Sequence, residues 1–169
     1  GGVNGGNVAS AIAVKVISEK LAEGCREGME EAYVRDLLLN AIAAANTEVF
    51  EASMADLSLH GMGTTVVAVV VDGEQAYMAH VGDSRAYIVS GTDNTITQVT
   101  KDHTIVQTMV EKGQLTQSEA KHHPRKHFIT RALGVEERVE CDYTSFTIHV
   151  NSALLLCTDG LTSMVEPEE

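Results

Sequence analysis

The sequence predicts an α+β layered domain, and three observations carry that reading. Residues 1–55 twice repeat apolar side chains at helical spacing. From residue 63 to 100 the period becomes that of strands joined by short turns. The strands follow one another at hairpin distance with no helix between them, which argues against a doubly wound parallel sheet.

Taken in order, "GGVNGGNVAS" opens on glycines and runs into a helical pattern. Val8, Ile12 and Val16 recur four apart, as do Ala9, Ala13, Ile17 and Leu21. Residues 7–23 therefore read as an amphipathic helix with Asn7 as its N-cap and Gly24 as its stop. The "GGVNGG" turn has the composition of an anion nest at a helix start, although a plain glycine turn explains it equally. A second helix fits residues 30–55, where Val34, Leu38, Ala41, Ala45, Val49 and Ala52 form one stripe. Its alanines permit close packing on something flat.

Four strands follow in "GTTVVAVVVDGEQAYMAHVGDSRAYIVSGTDNTITQVT". Asp72-Gly73 marks a tight hairpin and residues 91–94 a looser one. The first strand is almost wholly β-branched, so burial on both faces is expected. Residues 101–134 are polar and rich in histidine, with Ile105, Val106, Met109 and Val110 at the spacing of a short helix. This stretch reads as an excursion from the sheet. Strand character returns in "CDYTSFTIHV" and "ALLLCTDGL".

At 169 residues, 44% hydrophobic and 21% charged, the chain has the size and composition of one globular domain. A formal charge of −12 argues against nucleic acid or an anionic membrane as partner, and suits divalent cations or basic partners. Cys25, Cys141 and Cys157 are odd in number and lack knuckle spacing, so a reducing, cytoplasmic setting is expected. No apolar run approaches the roughly 18 residues of a membrane span, and no basic-then-apolar leader opens the sequence.

Two carboxylates stand out. In "AHVGDSRAYIV" Asp83 follows the alternating face Tyr77, Ala79, Val81, and in "LLLCTDGL" Asp159 follows Ala153, Leu155, Cys157. Each has a glycine beside it. A carboxylate at the end of an apolar face costs several kcal/mol unless something pairs with it. An arginine, backbone N–H groups or a hard divalent cation would serve. The alternative for each is a turn residue, with Asp83 bonded to the backbone of Ser84 or Arg85. His123 and His127 would share a helix face if Pro124 opened a helix, but without further ligand spacing "KHHPRKHF" reads as a solvated, cationic loop.

Five ordered motifs resemble the metal-dependent Ser/Thr protein phosphatases of the 2C type, especially the bacterial ones. These are "GMGTTVVAVVV", "AHVGDSRAYIV", "TKDHTIVQTMVEKGQLT", "HHPRKHFITRALG" and "LLLCTDGLTSMV". The resemblance covers essentially the whole chain. It implies a four-layer α-β-β-α sandwich of two antiparallel sheets flanked by helices, incomplete here at both ends. It further implies two core Mn²⁺ or Mg²⁺ ions, with a third held more weakly, that activate water to attack phosphoserine or phosphothreonine. By the resemblance, Asp159 matches a core metal ligand, Asp83 a ligand of the third ion, and His127 a position near that ion. Residues 101–134 match the flap beside the active site, and its Arg125, Lys126 and Arg131 are expected to meet the phosphopeptide.

No residue is assigned a catalytic role, because the family's N-terminal Asp-Gly and C-terminal Asp-Asn motifs do not occur within the 169 residues. The chain is accordingly expected to be the central part of one phosphatase domain. Phosphorylated proteins and a Ser/Thr kinase are its expected partners, in the cytoplasm. The alternative is a non-catalytic phosphatase-fold module that binds a phosphoprotein or a kinase.

Overall fold

The computed structural model describes residues 5–165. Helix α1 (Gly6–Gly24) starts one residue before Asn7, from a left-handed Gly5 with φ 65° and no side-chain cap. The expected N-cap is therefore part of the first turn instead: a glycine free to adopt positive φ reverses the chain without a capping side chain. The "GGVNGG" nest begins among residues outside the described range, as does the closing "EPEE". Helix α2 spans Glu31–Ala55 and packs on α1. The turn between them is tied to the sheet by Asp72, whose Oδ2 accepts from the backbone N–H of Gly28 (2.8 Å) and Met29 (3.3 Å).

Among the described residues six strands form two antiparallel sheets. β1 (Val66–Asp72), β2 (Gln75–Val81) and β5 (Asp142–Thr147) lie in the order β1-β2-β5. β3 (Arg85–Ser90), β4 (Thr95–Gln98) and β6 (Ser152–Cys157) lie in the order β4-β3-β6. The fold is α+β, two antiparallel sheets flanked by helices. The hairpin from β1 to β2 closes on Gly73-Glu74 with Gly73 at φ 60°, as Asp72-Gly73 predicts. β5 and β6 are consecutive in sequence yet join different sheets, so their connection ties the two layers together.

The core lies between the helices and the first sheet. Ala9, Ala13 and Ile17 of α1 meet Val34, Leu38, Ala41, Ile42, Ala45 and Val49 of α2 there, over Ala68, Val70, Tyr77, Ala79 and Val81. The alanine stripe lets the helix approach the strands closely, as its spacing implies. Burial on both faces belongs to β2, not to β1. Ala76, Met78 and His80 are buried on the face opposite Tyr77, Ala79 and Val81. Among the described residues β1, like β5, lies at an edge of its sheet, and Val71 keeps 54% of its surface. β-Branched composition reports strand preference, but sheet order decides which strand is covered twice.

Residues 101–134 do leave the sheets. They carry α3 (Ile105–Glu111), capped by Thr104 Oγ1 on the Gln107 N–H at 3.2 Å, and α4 (Gln117–His122), opened by a capping box between Thr116 and Glu119. Bridges pair Thr104 with Ile129 and Thr64 with Leu133. The return is fixed at Gly134, where φ is 82° and a side chain would collide with Val49.

Candidate metal centre

β2 stops at Val81 because Gly82 takes φ 105°, and a Cβ there would meet Thr65 Cβ at 2.7 Å. This turn takes Asp83 off the face of Tyr77, Ala79 and Val81, which corrects the expected alternation. The same correction applies at the other strand end. β6 stops at Cys157, and Asp159 is the first residue of the short helix α5 (Asp159–Thr162). Both carboxylates thus sit just beyond their strands, where the backbone leaves the extended conformation.

They are brought together nonetheless. Asp83, Asp159 and His127 line two adjoining clefts of about 230 and 790 Å³. One comes from the end of the first sheet, one from the end of the second, and one from the turn after α4. Asp83 is half-buried, and burial pushes its carboxyl above the usual range, followed by the negative charges of Asp159 and Asp102. Its own N–H and the charge of Arg85 offset part of this. The turn-residue alternative bonds Asp83 to the backbone of Ser84 or Arg85, and among the described residues neither N–H donates to its carboxylate; the side chains of both are engaged elsewhere. Ser84 Oγ lies 2.7 Å from Thr65 Oγ1. Arg85 grips Asp102 with Nε and Nη2 at 2.8 and 2.7 Å and reaches the Tyr87 hydroxyl at 3.1 Å. Gln98 adds a contact to Asp102 at 3.2 Å. The bidentate arginine neutralises Asp102. Among the described residues neither Asp83 nor Asp159 forms a salt bridge.

This arrangement fits a hard cation. Carboxylates from two elements line one cleft, burial first and then neighbouring negative charge raise the proton affinity of Asp83, and hard divalent ions take oxygen donors.

The other expected site residues separate. Lys126 lines the smaller cleft beside His127. Pro124 does not open a helix: α4 ends at His122 and residues 124–127 are a turn, so His123 and His127 share no helix face. In that turn the Arg125 N–H donates to His123 Nδ1 at 3.1 Å, and the Arg125 side chain is exposed. Arg131 is held elsewhere, by Asp142 Oδ1 at 2.7 Å and Glu140 Oε2 at 3.1 Å. Near it, His80, His103 and Asp142 bring donor atoms within 4.8 Å of one another, the spacing of a metal site. The Arg131 guanidinium already stands against Asp142 and His103 in that group, 3.2 Å from His103 Nε2. Sequence reasoning missed this group and the Arg85–Asp102 pair. The register that sets His80 opposite Asp142 across β2 and β5 joins residues 62 positions apart, and no local pattern marks it.

The family model described as protein phosphatase 2C matches residues 1–169. The chain belongs to the protein phosphatase 2C family. Its relatives include the serine/threonine phosphatase stp of Listeria welshimeri, 37% identical over all 169 residues, which make up 66% of that protein. Protein phosphatase PhpP of Streptococcus pneumoniae is 32% identical, with the whole chain matched to 67% of its length. The chain therefore spans about two thirds of these 2C phosphatases. The crystal structure of serine/threonine phosphatase Stp1 from Staphylococcus aureus superposes with a TM-score of 0.89 at 32% identity, over 99% of this chain and 65% of that one. The catalytic domain of the serine/threonine phosphatase PstP, solved in complex with two manganese ions, superposes with a TM-score of 0.77 at 33% identity, over 96% and 64%. No described helix is long and apolar enough to cross a membrane.

Proposed function

We propose that the full-length protein carrying this chain is a protein serine/threonine phosphatase that works with Mn²⁺ or Mg²⁺. The observation that supports this best is the convergence of Asp83 and Asp159 from two different sheets on one cleft, with no described basic partner for either. Family membership and the named activities of the relatives agree with it. Asp83 and Asp159 would supply oxygen donors, with His127 beside them. When bound, divalent ions lower the pKa of water and offset charge on phosphoryl oxygens. The residues of this chain hold and shape that place. Arg85 holds the Asp102 carboxylate, which lines the same cleft, in a bidentate pair, and Lys126 sets positive charge on the cleft wall, where a phosphate dianion or an acidic phosphopeptide would approach. Its substrates are then the phosphorylated products of Ser/Thr kinases. The three free cysteines suit the cytoplasm.

The second reading, a phosphatase-fold module that binds without cleaving, draws support from the donor count. Two carboxylates and one imidazole fall short of the roughly six ligands that Mg²⁺ or Mn²⁺ takes, so these residues alone cannot form the whole cage. One experiment separates the two. The full-length protein should release phosphate from a phosphothreonine peptide with Mn²⁺, stop with EDTA and resume when Mn²⁺ returns. Binding of the peptide without release under any of these conditions would favour the module.

A further inference from the structure

We infer that His103 is a positioning residue that fixes the Gly82–Asp83 turn through its two chemically distinct ring nitrogens. The inference rests on the reading of Asp83 as a cation ligand, and it adds a residue that never touches the ion or the substrate.

Gly82 is the hinge that turns Asp83 out of β2, and nothing in its own side chain can hold it. Both polar groups of its backbone are satisfied by one residue. Its carbonyl accepts from the His103 N–H at 2.9 Å, and its N–H donates to His103 Nδ1 at 3.1 Å. A backbone N–H only donates, so Nδ1 must offer its lone pair. In a neutral imidazole the proton then sits on Nε2. Nε2 lies 3.3 Å from Asp142 Oδ2, where it donates. Arg131 Nη1 lies beside it and donates to the other oxygen of Asp142 at 2.7 Å. The Asp142 carboxylate thus selects the tautomer that Gly82 requires, and the Arg131 guanidinium, which can only donate, turns its N–H to Asp142 Oδ1.

The rest of His103 is equally committed. Its carbonyl accepts from the Thr130 N–H at 2.8 Å, which pins the far end of the 101–134 excursion. Its ring stacks on His80 with centroids 4.8 Å apart and planes 22° from parallel. His80 is held in turn by the Lys101 carbonyl at 2.8 Å and sits opposite Asp142 across the sheet. One residue, through its ring and its backbone, therefore joins the metal-side turn, both ends of the excursion and β5.

Packing alone would accept any flat ring at this place. What demands histidine is the pair of nitrogens of opposite character, an acceptor toward Gly82 and a donor toward Asp142. The same facts set aside a metal ion on His80, His103 and Asp142. Nδ1 of His103 is committed to Gly82, and Arg131 supplies the positive charge next to its other nitrogen.

The test compares two polar substitutions of the full-length protein. His103→Asn keeps an acceptor near the Nδ1 position and loses the distal donor. His103→Gln reaches the distal position and loses the proximal acceptor. Amide hydrogen exchange at Gly82 and a Mn²⁺ binding isotherm are measured, neither of which needs turnover. His103→Asn should leave both within about threefold of wild type, whereas His103→Gln should speed Gly82 exchange and weaken Mn²⁺ binding by about tenfold each. Equal losses in both variants, or unchanged Gly82 exchange in His103→Gln, would overturn the inference. Asp83→Asn serves as the control for the underlying reading. If it leaves the isotherm unchanged, Asp83 is not a ligand and the metal reading fails, while Gly82 exchange in the two His103 variants still decides whether His103 holds the turn.

Discussion

Leu38 and Val81, in the half backed by helices, have no accessible surface, whereas Leu155 and Leu156 on β6 keep 37% and 44% of theirs. Both pairs belong to well-formed elements of the fold. The first sheet is covered by α1 and α2 on one side and buries β2 on both faces, so the turn that carries Asp83 grows from a strand packed on both sides. The second sheet is held at its centre by Ala86 and Tyr87, but β6 is loosely covered along the residues described. Along the described residues the cleft lies between a closely packed half and a less covered one, each contributing one carboxylate. A cation there would join the two halves as well as serve chemistry, and the difference in burial predicts which losses are catalytic and which are structural.

The largest expected effect comes from the less covered half. Asp159→Ala in the full-length protein should lower Mn²⁺-dependent hydrolysis of a phosphothreonine peptide by about a thousandfold, the several kcal/mol that a bound cation contributes. Its melting temperature without metal should hardly change, because Asp159 is exposed and its side chain has no described salt bridge. Activity within tenfold of wild type would remove Asp159 from the metal site.

The contrast in burial can be broken directly. Leu38→Ala should destabilise the protein by about 3 kcal/mol, transfer cost plus an unfilled cavity, while Leu155→Ala should cost about 1 kcal/mol or less. Chemical denaturation of the two variants in the full-length protein compares them. Equal costs would mean that the face of β6 is covered in the whole protein as thoroughly as α2 is here, and that the two halves are alike after all.

Much of this was legible in the sequence because its signals are local. The spacing of Val34, Leu38, Ala41, Ala45 and Val49 announces α2, and Asp72-Gly73 announces the first hairpin, since both depend on neighbours within a few residues. Asp83 and Asp159 were also visible, as charges where apolar residues cost less. What misled was the continuation of each strand's alternation past its end. A positive φ at Gly82 and a helix start at Asp159 break the period, and glycine permits that without requiring it. The groups built by register, such as His80 with Asp142, or by the return of a long excursion, such as His103 with Arg131, had no local signature. β1 was misjudged for the same reason, because strand order is a tertiary fact.

The smallest effect concerns the closely packed half, and its sign is the informative part. Burial and the charges of Asp159 and Asp102 raise the pKa of Asp83, so ionised Asp83 disfavours the metal-free folded state at neutral pH. A carboxyl raised in the folded state contributes stability that is present below its unfolded pKa and lost as pH rises through the folded value. Asp83→Asn removes that dependence. Without metal the variant should melt about 2–4 °C above wild type at pH 7, a shift kept small because solvent still screens the half-exposed carboxylate. The difference should close as pH falls below the ordinary carboxylate range, where Asp83 is protonated in both folded and unfolded states. With Mn²⁺ the order should reverse, since an ion that binds only the folded protein stabilises wild type by mass action and has lost a ligand in the variant. Scanning the melting of both proteins against pH, with and without Mn²⁺, reads all three outcomes. A variant that melts below wild type in EDTA at pH 7 would mean that the Asp83 carboxylate is paired by protein groups, leaving no charge on the closely packed side for a cation to neutralise.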